Sequence, residues 1–256
     1  MAIYKDVDTS VIGPVRSSRH YFLDYALEND AIYAHYGWST YAENDIKALS
    51  VDNINGLYDD AFYRDSSIAA PHNVFTSIDN LYLKAEELGY DTTSSDYENL
   101  NYVSKKVDLE KIDNSLNCDG ENCSLEGRSL TSIDIPYSNS EVRSYTYDSD
   151  NGYYLRYMNG IPHTDRDSGE QYHYKNIIIM KVDNSTLDDY GRQDLDTVGS
   201  GEGYYITNGY MMPITWEKDS RSGKTYYSYS NGDEIKVSDG NTFIQVMPSS
   251  RDIVIS

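Results

Sequence analysis

Cysteine is almost missing from this chain, with only Cys118 and Cys123 among 256 residues. No disulfide framework or four-cysteine metal ribbon can hold the fold, which has to rest on buried apolar surface, as a chain of this length can. Basic side chains are also scarce: 21 Lys and Arg stand against 42 Asp and Glu, a formal net charge of −21. Such a field repels phosphate backbones and anionic headgroups, so nucleic acid is not an expected partner. Nothing approaches the roughly 20 consecutive apolar residues that a membrane-crossing helix needs. The opening MAIYKDVD lacks the basic start, apolar run and small-residue cleavage site of a secretory signal. Also absent are the GxGxxG dinucleotide loop, the phosphate-binding GxxxxGK loop, HExxH and the GxSxG elbow. Without them the common cofactor chemistries lose support, and neither a cofactor nor a metal is expected.

What the chain has in excess is tyrosine, 27 residues against four phenylalanines and two tryptophans. Tyrosine offers an apolar body with a polar tip, which suits half-buried sheet faces. The alternative use is a surface on which carbohydrate or peptide stacks, but the tyrosines are spread evenly along the chain.

The first third alternates short helical and strand patterns. Ser17 or Ser18 can cap a helix in which Tyr21, Phe22, Tyr25 and Ala26 recur at helical spacing, ending near Asn29-Asp30. Residues 31–36, AIYAHY, bounded by Gly37, read as a buried strand. A second helix is expected over 41–49, an ordered loop over 62–77, and a third helix capped by Ser77 or Asp79. Beyond Thr131 short strands follow one another, among them VRSYTYD, YKNIIIMKV and TFIQVMP. The pairs Asn151-Gly152 and Asn231-Gly232 suit tight hairpins, because both central residues tolerate positive φ. The expected class is therefore α+β, or mixed α/β. An N-terminal α/β domain spans 1–110, a polar connector 111–130, and a β-rich C-terminal domain 131–256.

The connector holds NCDGENC, where the first reading is a disulfide between Cys118 and Cys123 around Gly120. So short a loop contributes only about 2 kcal/mol in the chain-entropy model, pinning a turn rather than the fold. A zinc site would need two further soft ligands in the segment, and there are none.

Chemistry-bearing residues gather in the first third. In IGPVRSSRHYF, Arg16 and Ser17 precede a helix start and Arg19 lies in its first turn, where free N–H groups and guanidinium forks both favour a carboxylate or phosphate. Simple capping and surface pairing is the competing reading. His35 ends a predicted strand before a glycine turn, a common place for binding groups and equally for a half-buried structural histidine. Arg64, Asp65, His72 and Asn73 concentrate hydrogen-bonding types in one loop. Farther on, His163, Asp165, Asp167, Glu170 and His173 include metal-ligand types, but their order breaks the register an EF-hand requires.

These blocks, IGPVRSSRHYFLDYALENDAIYAHYGWS, FYRDSSIAAPHN, IPYS, YLRYMNGIPHTDRDSGEQ, GYYITNGYMMPITWEK and TFIQVMP, occur in one order across both halves. Together they resemble the YerB-like lipoprotein family of Gram-positive bacteria. That resemblance implies two adjoining domains of unknown function, carried on the outer face of the membrane by a lipidated N-terminus. The lipidation cysteine is absent, and the chain is expected to begin inside the first domain; NCDGENC lies outside the shared blocks. The resemblance joins Arg16, Ser17, Arg19, His35, Arg64, His72 and Asn73 into one expected surface and supplies no reaction.

Two functions follow as expectations. The first is an extracytoplasmic binding or interaction module with an anion-suited site for a small anionic or cell-envelope ligand, meeting the membrane only through a lipid anchor that this chain lacks. The second is a hydrolase or transferase on an envelope component, with His35 or His72 as base and Ser17 or water as nucleophile.

Overall fold

The computed structural model describes residues 1–5, 9–93, 99–112 and 127–255. Cys118 and Cys123, and with them the expected disulfide, lie outside the described residues. The chain divides into two compact units, Met1–Asn99 with Ser220–Lys224, and Leu100–Asp219 with Thr225–Ser256.

The first unit runs α1 (His20–Glu28), β1 (Tyr33–His35), α2 (Thr40–Ala48), β2 (Asn53–Asn55), β3 (Tyr63–Arg64), β4 (Val74–Phe75) and α3 (Ile78–Leu88). β1 and β2 pair in parallel, with α2 as the crossover that parallel strands require. Leu23 and Ala26 of α1, Tyr33, Ile46 and Val51 form one buried cluster, and Ile54, Ala61 and Ala85 of α3 form another. Ser39 caps α2, its hydroxyl accepting from Ala42 N at 3.2 Å, and Ser77 caps α3 by accepting from Asn80 N at 3.1 Å. Gly89 closes α3 in the left-handed conformation, φ 77°.

The expected serine cap of α1 does not form. Arg19 occupies that position with no side-chain cap bond. Ser18 is instead fully buried in a bridge to Trp38, its N–H donating to Gly37 O at 2.8 Å. Within this unit Arg221 joins the two helices: Nε lies 2.5 Å from Asp24 Oδ1, Nη1 2.6 Å from Asp45 Oδ2, and Nη2 donates to His20 O.

The second unit is built of strands. β5 (Tyr102–Val103), the short 3₁₀ turn Leu109–Lys111 and β6 (Arg128–Ser129) lead into β7 (Ser132–Pro136), β8 (Val142–Asp148), β9 (Tyr153–Met158), β10 (Ile161–Pro162) and β11 (His173–Tyr174). Then come β12 (Asn176–Val182), β13 (Asn184–Thr186), β14 (Gln193–Leu195), β15 (Gly199–Thr207) and β16 (Tyr210–Lys218). β17 (Tyr226–Ser228), β18 (Val237–Ser238), β19 (Thr242–Pro248) and β20 (Val254–Ile255) complete it. One sheet has the order β10-β9-β8-β7-β20 with β11 on β9; the other has β17-β16-β15-β12-β19 with β6 on β16.

β12 explains the apolar run IIIM within NIIIMKV. Ile177 and Ile179 pack with Ile133, Ile135, Tyr145, Tyr154 and Met247, whereas Ile178, Met180 and Val182 pack with Leu109, Tyr205, Met212, Trp216 and Val237. A strand buried on both faces has no polar side to alternate with. Leu100–Ile112 belongs to this unit, ahead of the boundary the sequence suggests at 110, because Val107 and Leu109 insert into its core and β5 pairs with β18. Among the described residues every α-helix lies in the first unit, so the fold is mixed but mostly β.

Tyrosine goes deeper than half-buried faces. Tyr145, Tyr154 and Tyr205 are among the largest fully buried side chains, each hydroxyl bonded. Of the Asn-Gly pairs, Asn151-Gly152 and Asn231-Gly232 have positive φ only at glycine. The two-residue turns with both residues positive are Asn159-Gly160 (52°, 77°) and Asn208-Gly209 (52°, 84°). Strand register, not the dipeptide, selects between these forms.

Candidate functional site

Residues 12–18 of the first unit run between β4 and the end of β1. Ile12 bridges Thr76, Val15 N donates to Val74 O at 2.8 Å, and Tyr36 N donates to Arg16 O at 3.0 Å. This placement brings Arg16 to the loop that follows β3. Its Nη1 donates to His72 Nδ1 at 2.8 Å, so this ring nitrogen carries no proton.

Arg64 ends β3 in the same loop. Its Nη1 donates to Asn73 Oδ1 at 2.7 Å, and the guanidinium lies over the Tyr36 ring, 4.8 Å from the centroid. The loop is ordered from within: Asp65 accepts from Ser67 N and Oγ, and Asp65 N donates to Asn73 O. Asn73 is nearly buried while Arg16, Arg64 and His72 are exposed. Tyr36 is the residue that sequence reasoning missed. The available signal was strand alternation, since the neighbour of His35 points to the other face.

The other candidates are placed apart. His35 is 1% exposed, with Nδ1 2.9 Å from Gly37 O, Nε2 3.1 Å from Asn53 Oδ1 and its ring stacked on Tyr33. It fixes the turn at the end of β1, where Gly37 N also donates to Asn55 Oδ1 at 3.0 Å. Arg19 folds back, Nη1 donating to Ser18 O at 3.0 Å and Ser17 O at 3.4 Å. Burial pushes the Tyr33 phenol up to about 12, against the Ser18 hydrogen bond and the nearby Arg19 charge. Ser17 is exposed, and neither histidine bonds its hydroxyl, because His35 is sealed in and His72 Nδ1 is occupied by Arg16. The form of the hydrolase or transferase reading in which a histidine activates Ser17 therefore finds no nucleophile–base pair here.

Arg16 and Ser17 also line a cavity of about 620 Å³ whose apolar lining includes Phe22, Ala26, Ile54, Leu81 and Ala85. In the second unit the residues of metal-ligand type are engaged elsewhere. His163 takes a hydrogen bond from Arg156, and Asp165 Oδ1 accepts from Asp167 N, Ser168 N and Ser168 Oγ. Those bonds, led by the Ser168 N–H, hold the Asp165 carboxyl below the usual range. Among the described residues no three His, Cys, Asp or Glu side chains converge on a metal-sized space.

The family model described as Protein of unknown function (DUF3048) N-terminal domain matches residues 1–91, and its C-terminal domain counterpart matches residues 133–244. The chain belongs to the DUF3048 family. It is 27% identical over 253 residues to "Putative lipoprotein YerB" of Bacillus subtilis (strain 168), which is 97% of this chain and 70% of that protein. The crystal structure of YerB from Bacillus subtilis is similar with a TM-score of 0.79 at 25% identity, covering 96% of this chain and 78% of that one. Arg16, Arg64, His72 and Asn73 all lie within the DUF3048 N-terminal match.

Proposed function

We propose that this DUF3048 protein is a non-enzymatic binding module whose first unit takes the carboxylate or phosphate group of a small or cell-envelope ligand at Arg16 and Arg64. The reading puts it on the outer face of the membrane, following the lipoprotein named among its relatives. One observation supports it most. In a chain of net charge −21, both exposed guanidiniums are held by neutral partners, His72 and Asn73, and no carboxylate among the described residues pairs with either. Each keeps N–H donors for an incoming oxyanion, and each is already oriented, which lowers the entropic cost of binding.

Calorimetry with phosphate, acetate and cell-wall fragments at matched ionic strength tests it. Loss of one charge-assisted contact in Arg16→Ala or Arg64→Ala should weaken binding by about tenfold or more. Failure of every anion to bind at millimolar concentration, with both variants behaving like the parent, overturns it.

A further inference from the structure

The second unit holds another arginine without a carboxylate, and this one is buried. Arg156 on β9 is 8% exposed. Its Nε donates to the Tyr145 hydroxyl at 3.2 Å, its Nη1 meets His163 Nδ1 at 2.5 Å, and its guanidinium carbon lies 4.9 Å from the centre of the Phe243 ring. Among the described residues no acid pairs with it. Tyr145 passes its own proton on to Gln245 Oε1 at 2.8 Å, so the wall on that side is polar but uncharged.

Arg143 adds a second cation on the same face. Tyr145 sits directly across from Arg156 in the β8–β9 ladder, and Arg143 is two residues along β8 from Tyr145. Its guanidinium is matched by Glu141, 2.9 Å away, which leaves the Arg156 charge uncompensated. An isolated buried cation is costly, and neutral hydrogen bonds with one aromatic face offset only part of that. Among the described residues Arg156 Nη2 has no hydrogen-bond partner, yet it is not among the side-chain nitrogens sealed from solvent without one. The two N–H groups of Nη2 thus keep contact with solvent and remain available to a ligand.

We propose that Arg156 is the base of a small-oxyanion site, receiving a carboxylate or phosphate oxygen on Nη2 with Arg143 alongside. The site is separate from the one formed by Arg16 and Arg64, which lies in the other unit. Because so little of Arg156 is exposed, the site suits one terminal oxyanion rather than a ligand laid along the surface. That oxyanion comes either as a free acid or as the charged end of a longer chain.

The test follows the arginine Nε–H resonances of the ¹⁵N-labelled full chain during titration with inorganic phosphate, with acetate, and with a short peptide bearing a free or an amidated C-terminus. Chloride holds the ionic strength constant. The Arg156 resonance, assigned by its disappearance in Arg156→Met, should shift saturably. Arg143→Gln should weaken that response by about tenfold, and Arg16→Ala should leave it unchanged. Saturation by the free-ended peptide but not the amidated one assigns a chain end; saturation by phosphate or acetate with no peptide response assigns a free acid. Absence of a saturable shift of Arg156 in the parent chain overturns the proposal, as does an unchanged affinity in Arg143→Gln. Should Arg156→Met fail to fold, through-bond assignment of the Arg156 Nε–H in the parent chain keeps both readouts, and neither depends on the outcome at Arg16.

Discussion

Asn176 interrupts the apolar β12 at its first residue, and replacing it with alanine is expected to destabilise the second unit severely. It is fully buried. Nδ2 donates to Ser238 O at 2.8 Å and Thr242 Oγ1 at 3.2 Å, while Oδ1 accepts from Tyr205 OH at 3.1 Å and Thr207 Oγ1 at 2.9 Å. After Asn176→Ala the Thr207 hydroxyl can turn to Ser238 Oγ, 3.2 Å away, and Thr242 Oγ1 keeps the Tyr102 hydroxyl. Tyr205 OH and Ser238 O are the two groups left short. An orphaned buried polar group costs about 1–3 kcal/mol. With the small cavity added, the expected loss is about 3–5 kcal/mol, a fall in midpoint of roughly 10 °C for a unit of this size.

Urea unfolding followed by Trp216 fluorescence measures it. Trp216 is buried in this unit, and a Trp38→Phe background removes the other tryptophan. Tyr205→Phe should cost less alone, and in the double variant the two effects should fall short of additivity by about 1 kcal/mol, because Tyr205 no longer has a donor to orphan. A loss below about 1 kcal/mol for Asn176→Ala, or strict additivity with Tyr205→Phe, would refute the reasoning.

Two further outcomes follow from the same unit. A Cβ on Gly203 would lie 2.2 Å from Ile179 O across the β12–β15 ladder, so Gly203→Ala should lose about 3 kcal/mol or more. Gly160→Ala, at φ 77° with open space around it, should lose only about 1–2; equal losses on thermal unfolding would contradict this. Burial, with help from Arg156 and Arg143, holds the His163 imidazole below its ordinary value of 6.5. The unfolded chain then takes up a proton first as the pH falls. The stability this histidine contributes is complete above about 6.5 and is lost between there and the lower native value. Proton NMR in phosphate-free buffer should show His163 titrating below 6.5, and His163→Gln should flatten the stability profile in that window; titration at or above 6.5 contradicts the assignment.

Much of the local structure was legible in the residues alone. VRSYTYD and TFIQVMP mark β8 and β19 to the residue, and Ser77, one of two candidate caps, announces α3, because alternation and capping depend on a few neighbours in the chain. The shared blocks likewise pointed to the two-part family without any coordinates. Other features needed partners that sequence spacing does not reveal. Ser18 had the chemistry of a cap and was drawn into a bridge with Trp38, and NIIIMKV could not show that both its faces would be covered. The candidate site divides in the same way. The loop carrying Arg64, His72 and Asn73 was recognisable from its composition, but only folding joined His72 to Arg16 across 56 residues and sealed His35 beneath Tyr33. Side-chain type is a property of one position. Whether a guanidinium meets a carboxylate, an imidazole or an amide is decided by which distant segments pack beside it, and the partners of Arg16, Arg64 and Arg156 rest on that packing.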